Sequence, residues 1–373
     1  MRPDRFISIE DLRQAARRRL PRVVFDYIDG GADGEITMRE NMRAFETITF
    51  QPKCAVRTPE CDLATTVAGI PLSMPLLLAP LGSSRMFYPR GEVVAAAAAG
   101  AAGIGYILST FSGCRLEDVK SGTSGPCLLQ LYLVGDRGVS RSMMQRAQDA
   151  GYSALVVTID TAVAGLRERD FRNGSRELVS RNPGTMLPFV GQFLVRPRWL
   201  IRFFRDGGMM KFPNVVLPDT GPMAYADVGG SLQKADVTWE DFAWIRDAWR
   251  GPILVKGVHR PDDARRAVDV GADAIVVSNH GGRQLDGVPA SVRMLPDVLK
   301  AVDGGIRRGS DIVKALCLGA RAVLIGRAYG YGLAAGGHAG VARAIDILRT
   351  DMIRTMKLLG CPAVHQLGRE FLG

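Results

Sequence analysis

From about Pro75 onward, short apolar runs alternate with longer amphipathic ones, and this repetition constrains the fold more than any other feature of the chain. The short runs are PLLLAP (75–80), GYILST (105–110), CLLQLY (127–132), ALVVTID (154–160), ILVKG (253–257), AIVVSN (274–279) and AVLIGR (322–327). They are nearly continuous in apolar character, as strands covered on both faces are. Helical periodicity fills the intervals 92–102, 138–150, 239–249, 261–270, 290–301 and 310–319. Strand and helix in strict alternation predict a parallel sheet with helices outside it. Polar and glycine residues follow almost every apolar run: Gly82-Ser83, Ser109-Thr110, Gln130 to Tyr132, Thr158 to Asp160, Lys256-Gly257, Ser278 to His280 and Gly326-Arg327. A doubly wound sheet gathers such residues at one switch point. A (β/α)8 TIM barrel spreads them over all its strand ends, so the α/β class with barrel topology is expected. The expected unit is a single domain over 1–373, with a helical segment over 1–70.

Two stretches depart from the repetition. Between 161 and 237 it stops altogether, far too long an interval for an ordinary βα loop, which marks a functional excursion. Seven strands are plain, whereas the seventh in barrel order, just ahead of Asp303-Gly304-Gly305, is squeezed. The preceding PDVLKAV is already needed as a helix, so strand 7 is expected to be truncated.

Composition narrows the function classes. The chain has 373 residues, 47% hydrophobic and 23% charged, which excludes disordered and collagen-like readings. Six scattered cysteines without a C-x-x-C pair argue against a disulfide framework or a zinc site and suit a reducing cytosol, and no metal is expected. The net charge of +10 comes from 48 Lys and Arg residues spread along the chain without any nucleic-acid-binding module, so no nucleic-acid partner is expected. The basic start lacks the apolar run of a secretory signal, and the Ala- and Gly-rich stretch 93–112 is too weakly apolar for a membrane span. No G-x-G-x-x-G follows a strand, so a nicotinamide site has no support.

The most specific segment is SNHGGRQLD (278–286). His280 stands at a strand's C-terminal end beside two glycines that let backbone approach a ligand. An imidazole there can act as a base near neutral pH, and Arg283 can hold a carboxylate through paired hydrogen bonds. Lys256 ends a buried strand, where an amine needs a partner. A polar surface loop with a solvated histidine, and a lysine snorkelling past the rim, are the bland alternatives.

SNHGGRQLD closely resembles the active-site signature of the FMN-dependent α-hydroxy-acid dehydrogenases and oxidases, a (β/α)8-barrel family. The resemblance extends over LPRVVFDYIDGGAD (20–33), LQLYLVGDR (129–137), VTIDTAVAGLRERDFRNG (157–174), LVKGV (254–258), DGGIRRGSDIVKALCLGA (303–320) and VLIGRAY (323–329), and WEDFAWIRDAWRGP (239–252) looks most like the quinone-linked L-lactate dehydrogenase branch. It implies FMN as cofactor and oxidation of an L-2-hydroxy acid, lactate or a near relative, to the 2-oxo acid. By the same resemblance His280 is the catalytic base with Asp160 beside it. Tyr27 and Arg283 grip the substrate carboxylate, Tyr132 hydrogen-bonds the reacting oxygen, and Arg167 is an additional active-site arginine. Lys256 faces the flavin where negative charge develops on reduction. Pro80, Leu81, Gly82, Ser109, Gln130, Thr158 and Ser278 match flavin contacts, Asp303 a ribityl contact, and Gly305, Arg307, Gly326 and Arg327 the phosphate site. A homotetramer is implied as well.

The resemblance leaves the electron acceptor open. Gly82 stands where dehydrogenases of the family often have glycine and many oxidases have alanine, and Leu81 departs from the usual threonine. Within the excursion, FVGQFLVRPRWLIRFFRDGGMMK (189–211) interleaves bulky apolar residues with arginines, a composition suited to a bilayer interface. Membrane-associated members of the family dock through this region and reduce quinone, so quinone or another acceptor, with peripheral attachment to the inner face of the cell membrane, is one expectation; a helix capping the barrel of a cytoplasmic enzyme, its arginines solvated, is the equal alternative. Relatives place about eight more residues ahead of the D-G-G turn, enough for a strand of usual length. Their loss is expected to weaken FMN retention. A peroxide-forming oxidase, a peptide-modifying flavoenzyme of the pre-mycofactocin synthase kind and an FMN-poor inactive relative stay open as alternatives, the second opposed by Tyr27, Tyr132 and Arg283.

Overall fold

A computed structural model describes residues 3–179, 182–232, 236–298 and 301–373. Eight parallel strands close into a barrel, each hydrogen-bonded to its neighbours in chain order. They are β1 (Leu76–Leu78), β2 (Gly105–Leu108), β3 (Cys127–Leu131), β4 (Ala154–Thr158), β5 (Ile253–Val258), β6 (Ala274–Ser278), β7 (Ala301–Asp303) and β8 (Ala322–Ile325). The seven strands expected from apolar runs all form, and helices lie over 91–101, 137–149, 241–248, 261–269, 291–298 and 309–317, within a few residues of the periodicity.

The apolar runs are continuous because each strand feeds two layers. Alternate residues such as Leu77, Leu128, Val156, Leu254, Val276 and Leu324 fill the barrel interior, while Leu76, Leu78, Leu129, Leu155 and Val255 pack outward against the helices. A hairpin of Thr65–Val67 and Ile70–Leu72 sends Val67, Ile70 and Leu72 into the interior cluster. The segment 1–70 is thus not wholly helical: helices Ile9–Arg19, Arg22–Asp29 and Ile36–Glu46 are followed by this hairpin.

Strand β7 has three residues, yet it is registered on both sides. Val302 pairs with Val277 of β6 and with Val323 of β8, and Asp303 with Ser278 and Leu324. The helix ahead of it is described over Ser291–Val298 and the strand begins at Ala301, so the helix expected over 290–301 ends before that residue.

The excursion after β4 folds into short helices Glu168–Arg172 and Ser175–Val179, longer ones Pro183–Leu194 and Pro197–Arg205, and an antiparallel hairpin of Lys211–Leu217 with Gly221–Ala224. Helix Ile36–Glu46 is pinned to the end of β6 by two buried amides that exchange hydrogen bonds. Asn41 Nδ2 donates to Asn279 Oδ1 at 2.9 Å, and Asn279 Nδ2 donates to Asn41 Oδ1 at 2.8 Å. Such a pair satisfies both side chains without exposing either to water.

Candidate active site

His280 follows the last residue pair of β6 and adopts a left-handed backbone, φ 56°, as do Gly281 and Gly282. A non-glycine residue pays for that conformation, and the surroundings hold it in place. Asn279 Oδ1 accepts from Gly282 N, and the His280 amide donates to Ser278 Oγ. A Cβ at Gly282 would lie 2.6 Å from the backbone nitrogen of Met38, so only glycine lets the N-terminal segment pass there. The loop consequently presents the imidazole to the barrel mouth.

The orientation of that ring is set by β4. Asp160 Oδ1 lies 2.8 Å from His280 Nδ1, leaving Nε2 to face Tyr132, whose hydroxyl is 3.3 Å away. Space for Asp160 comes from β5: a Cβ on Gly257, φ 106°, would lie 2.6 Å from the Asp160 Cβ. Burial works against the Asp160 charge, but His280 and Lys256 outweigh it and hold the carboxyl below its ordinary range. A carboxylate on Nδ1 fixes the tautomer and strengthens proton capture at Nε2. Burial pushes the Tyr132 phenol up, so its hydroxyl keeps its proton.

Opposite the imidazole, cationic groups gather around Tyr27. The Arg283 guanidinium sits 5.3 Å and that of Arg167 6.0 Å from the Tyr27 ring centre, and the Tyr27 hydroxyl donates to Gly82 O at 3.3 Å. Arg167 Nε donates to Asp170 Oδ2 at 2.8 Å, and that carboxylate more than offsets the effect of burial, raising the arginine's pKa. Arg283 is lowered instead, first by burial and then by Arg167. A carboxylate between them would relieve both costs.

His280, Tyr132, Tyr27, Arg167 and Arg283 line one cavity of about 1180 Å³ over the C-terminal ends of the strands. Pro80, Leu81, Gly82, Ser109, Gln130, Lys256, Gly305, Arg307, Gly326 and Arg327 line it too, so most residues singled out from the sequence converge. Thr158 and Ser278 stand behind the wall as fully buried supports. Thr158 Oγ1 accepts from Gln130 Nε2 at 3.1 Å, and Ser278 Oγ accepts from Lys256 Nζ at 3.0 Å. Asp303 ends β7, and its side chain lies outside what is described. Several lining residues carried no sequence signal: Tyr225 and Phe212 come from the excursion, and Phe111 packs 5.5 Å from Tyr132. Asp170 was legible in principle, since it stands one helical turn from Arg167.

The pocket fits a phosphorylated flavin by its own chemistry. Burial lowers the proton affinity of Arg327 and the nearby Arg283 and Arg307 lower it further, a cost that an anion at this end would offset, while Lys256 sets a buried cation in the wall. Ser109, Gln130 and Thr158 form a polar chain across β2, β3 and β4, suited to a heteroaromatic edge.

Comparison with known proteins decides the family. The profile of the FMN-dependent dehydrogenases matches residues 16–373. The chain belongs to the FMN-dependent dehydrogenase family. It is therefore a flavoenzyme of the hydroxy-acid dehydrogenase class, with FMN as cofactor. It is 41% identical to an L-lactate dehydrogenase of Caulobacter sp. strain K31, with 98% of each chain covered. It is 42% identical to an L-lactate dehydrogenase of Stenotrophomonas maltophilia strain R551-3, with 97% of each covered. Among solved structures, the monotopic membrane protein (S)-mandelate dehydrogenase is 37% identical with a TM-score of 0.90, covering 99% of both chains. A mandelate oxidase crystallised with (S)-2-phenylpropionate is 33% identical with a TM-score of 0.81, covering 99% of this chain and 98% of that one.

Replacing Asp160 by Asn is expected to lower kcat by about 10²-fold or more. Without the carboxylate the imidazolium loses its partner, so the pKa of His280 falls. The basic form then persists to lower pH, and the ascending limb of kcat/KM moves to lower pH. A pH profile of the variant checks both; an unchanged limb would remove Asp160 from the base.

Proposed function

We propose that the enzyme oxidises a small L-2-hydroxy acid, L-lactate or a near relative, to the 2-oxo acid and passes the electrons to a membrane quinone. The observation that carries the reading is the convergence in one cavity of His280 Nε2 and the Tyr132 hydroxyl with Arg283, Arg167 and Tyr27. A 2-hydroxy acid has a carboxylate for the guanidinium side and a hydroxylated carbon for the imidazole side.

Arg283 and Tyr27 bind the carboxylate and so fix the position of the α-carbon. Arg167, steadied by Asp170, adds a second positive charge. The Tyr132 hydroxyl, held in its protonated form, hydrogen-bonds the oxygen that becomes the carbonyl. Oxidation releases two electrons and two protons; His280 Nε2 takes up one proton, and Asp160 stabilises the resulting imidazolium. FMN, when bound, would supply the acceptor for the two electrons and the other proton. The buried ammonium of Lys256 supplies positive charge in the wall where reduction adds negative charge. The L-lactate dehydrogenase names of the relatives support lactate, while the mandelate enzymes share the fold and a similar degree of identity.

A quinone acceptor is supported by the shape of the upper cavity. Beyond Tyr27 it continues between Met186, Val190 and Phe193 of helix Pro183–Leu194 and Trp199, Leu200 and Phe203 of helix Pro197–Arg205. Trp199 and Phe203 stack at 4.8 Å on this inner side. Leu194, Val195 and Ile201 lie off the cavity and are exposed among Arg198, Arg202 and Arg205, and Phe204 and Met209, which line the cavity, are exposed as well. Apolar side chains rimmed by arginines suit an anionic bilayer interface, and among the described residues no helix is long and apolar enough to cross a membrane. Peripheral attachment through 189–211 on the cytoplasmic side follows from this reading, as does a homotetramer from the family resemblance.

Anaerobic mixing with a panel of 2-hydroxy acids is expected to bleach the flavin with L-lactate or a close homologue. Re-oxidation is expected to be faster with a soluble quinone than with oxygen; rapid oxygen-driven recovery with peroxide would assign an oxidase. Val195→Glu with Ile201→Glu is expected to abolish retention on anionic vesicles while leaving flavin bleaching intact. Equal retention of the doubly substituted protein would contradict membrane docking through this segment.

A further inference from the structure

Glu92 stands in the first turn of helix Gly91–Ala101, the helix that follows β1, and is wholly buried. The residue ahead of it makes room: a Cβ at Gly91 would collide with Ser84 O, so only glycine lets the helix start against the turn Ser84–Met86. A carboxylate buried there must find its partners within the protein. Oε1 accepts from Ser84 N at 2.9 Å and from Gly113 N at 3.0 Å, and Oε2 accepts from the Cys114 thiol at 3.3 Å. One buried oxygen thus holds a backbone amide from each of two loops, the one after β1 and the one after β2.

Both loops reach the cavity, which Gly82, Ser109 and Phe111 line. Ser83 N donates to Phe111 O at 2.8 Å, a second tie between them, with Ser83 in a left-handed backbone, φ 59°. Gly82, one residue earlier, accepts the Tyr27 hydroxyl on its carbonyl. The fit leaves no slack: a Cβ at Gly82 would lie 3.4 Å from both the Phe111 Cβ and the Tyr27 hydroxyl. Tyr27 comes from helix Arg22–Asp29, outside the barrel, so its hydroxyl takes its place at the rim from the Gly82 carbonyl. Burial pushes the Glu92 carboxyl up from its ordinary range, while the amide and thiol donors oppose that rise. A proton on Oε2 would still leave Oε1 to accept both amides, so the shared oxygen rather than the charge sets the spacing of the loops.

We propose that Glu92 is a positioning residue for Tyr27: its Oε1 fixes the Gly82 turn against the Phe111 loop, and the Gly82 carbonyl holds the Tyr27 hydroxyl where a substrate carboxylate takes over the hydrogen bond. The inference rests on the hydroxy-acid reading, in which Tyr27 and Arg283 grip that carboxylate. A hydroxyl already in place in the free enzyme spares binding the cost of ordering it. Aspartate at 92 is one methylene shorter, so its oxygens fall about 1.5 Å short of the two amides. Glutamine keeps a carbonyl oxygen at full reach.

The test uses the FMN-loaded enzyme. Binding of oxalate, an unreactive dicarboxylate, is read from the flavin absorbance change, and FMN retention from the fluorescence of flavin released on dilution. For Glu92→Asp, oxalate affinity is expected to fall about tenfold or more while FMN retention stays within about threefold. For Glu92→Gln both are expected to stay within about threefold of wild type. In a Tyr27→Phe background, which has no hydroxyl to position, Glu92→Asp is expected to add less than about threefold. A tenfold loss that persists in that background would overturn the proposal. So would an unchanged oxalate affinity in Glu92→Asp, an equal loss in Glu92→Gln, or a parallel loss of FMN retention. If Glu92→Asp does not fold, Glu92→Met, which fills similar space without an acceptor, is read by the same measurements. Failure of the wild-type holoenzyme to bind oxalate would instead count against the hydroxy-acid reading itself.

Discussion

A 2.8 Å contact between His280 Nδ1 and Asp160 Oδ1 joins the ends of two strands, β4 and β6, across the intervening β5. The site depends on it because it decides which ring nitrogen is available for chemistry. The barrel supplies the geometry: parallel strands bring residues far apart in sequence to one rim, and Gly257 on β5 removes the side chain that would separate the pair. The left-handed backbone at His280 is tolerated because Asn279, Ser278 and the N-terminal segment hold the loop on three sides. Strain at the base is thus balanced by hydrogen bonds formed well away from the reacting atoms.

Charge organises the rest of the cavity. Arg283, Arg307 and Arg327 cluster at one side, and the acidic groups near them are already committed, Asp29 to Arg13, Arg169 and Tyr331, and Asp170 to Arg167. The protein therefore carries an excess of positive charge that a phosphate and a substrate carboxylate would neutralise. The N-terminal segment, outside the barrel in sequence, participates directly: Tyr27 lies under two guanidiniums, and the Gly30 carbonyl receives two more hydrogen bonds.

Much of this was legible in the sequence, for physical reasons that differ by element. Seven strands could be located because a strand covered on both faces carries few polar residues, here mostly near its C-terminal end, to break its run. Strand β7 was visible only as a shortage, because the residues ahead of it carry a helical period and its three residues, paired with both β6 and β8, make no separate apolar run. His280, Tyr132, Tyr27 and Arg283 stood out through a family resemblance, and they meet in one cavity. The same route assigned Thr158 and Ser278 to the cofactor and Arg327 to the phosphate; in the structure the first two accept hydrogen bonds from Gln130 and Lys256, and the Arg327 guanidinium, which lines the cavity, donates to three carbonyls. Residue type alone does not distinguish a group that touches a ligand from one that holds its neighbour. Tyr225 and Phe212 escaped notice because they belong to the excursion, where no repeating pattern reports which face turns inward.

The central claim is that the imidazole of His280 is the proton acceptor during oxidation of the acid. Rapid-mixing measurement of anaerobic flavin reduction in FMN-loaded His280→Gln tests it most directly, since glutamine keeps polar contacts but cannot accept the proton. A reduction rate lower by about 10²–10⁴-fold at saturating substrate is expected, with FMN still bound. Reduction within a few-fold of the wild-type rate would contradict it.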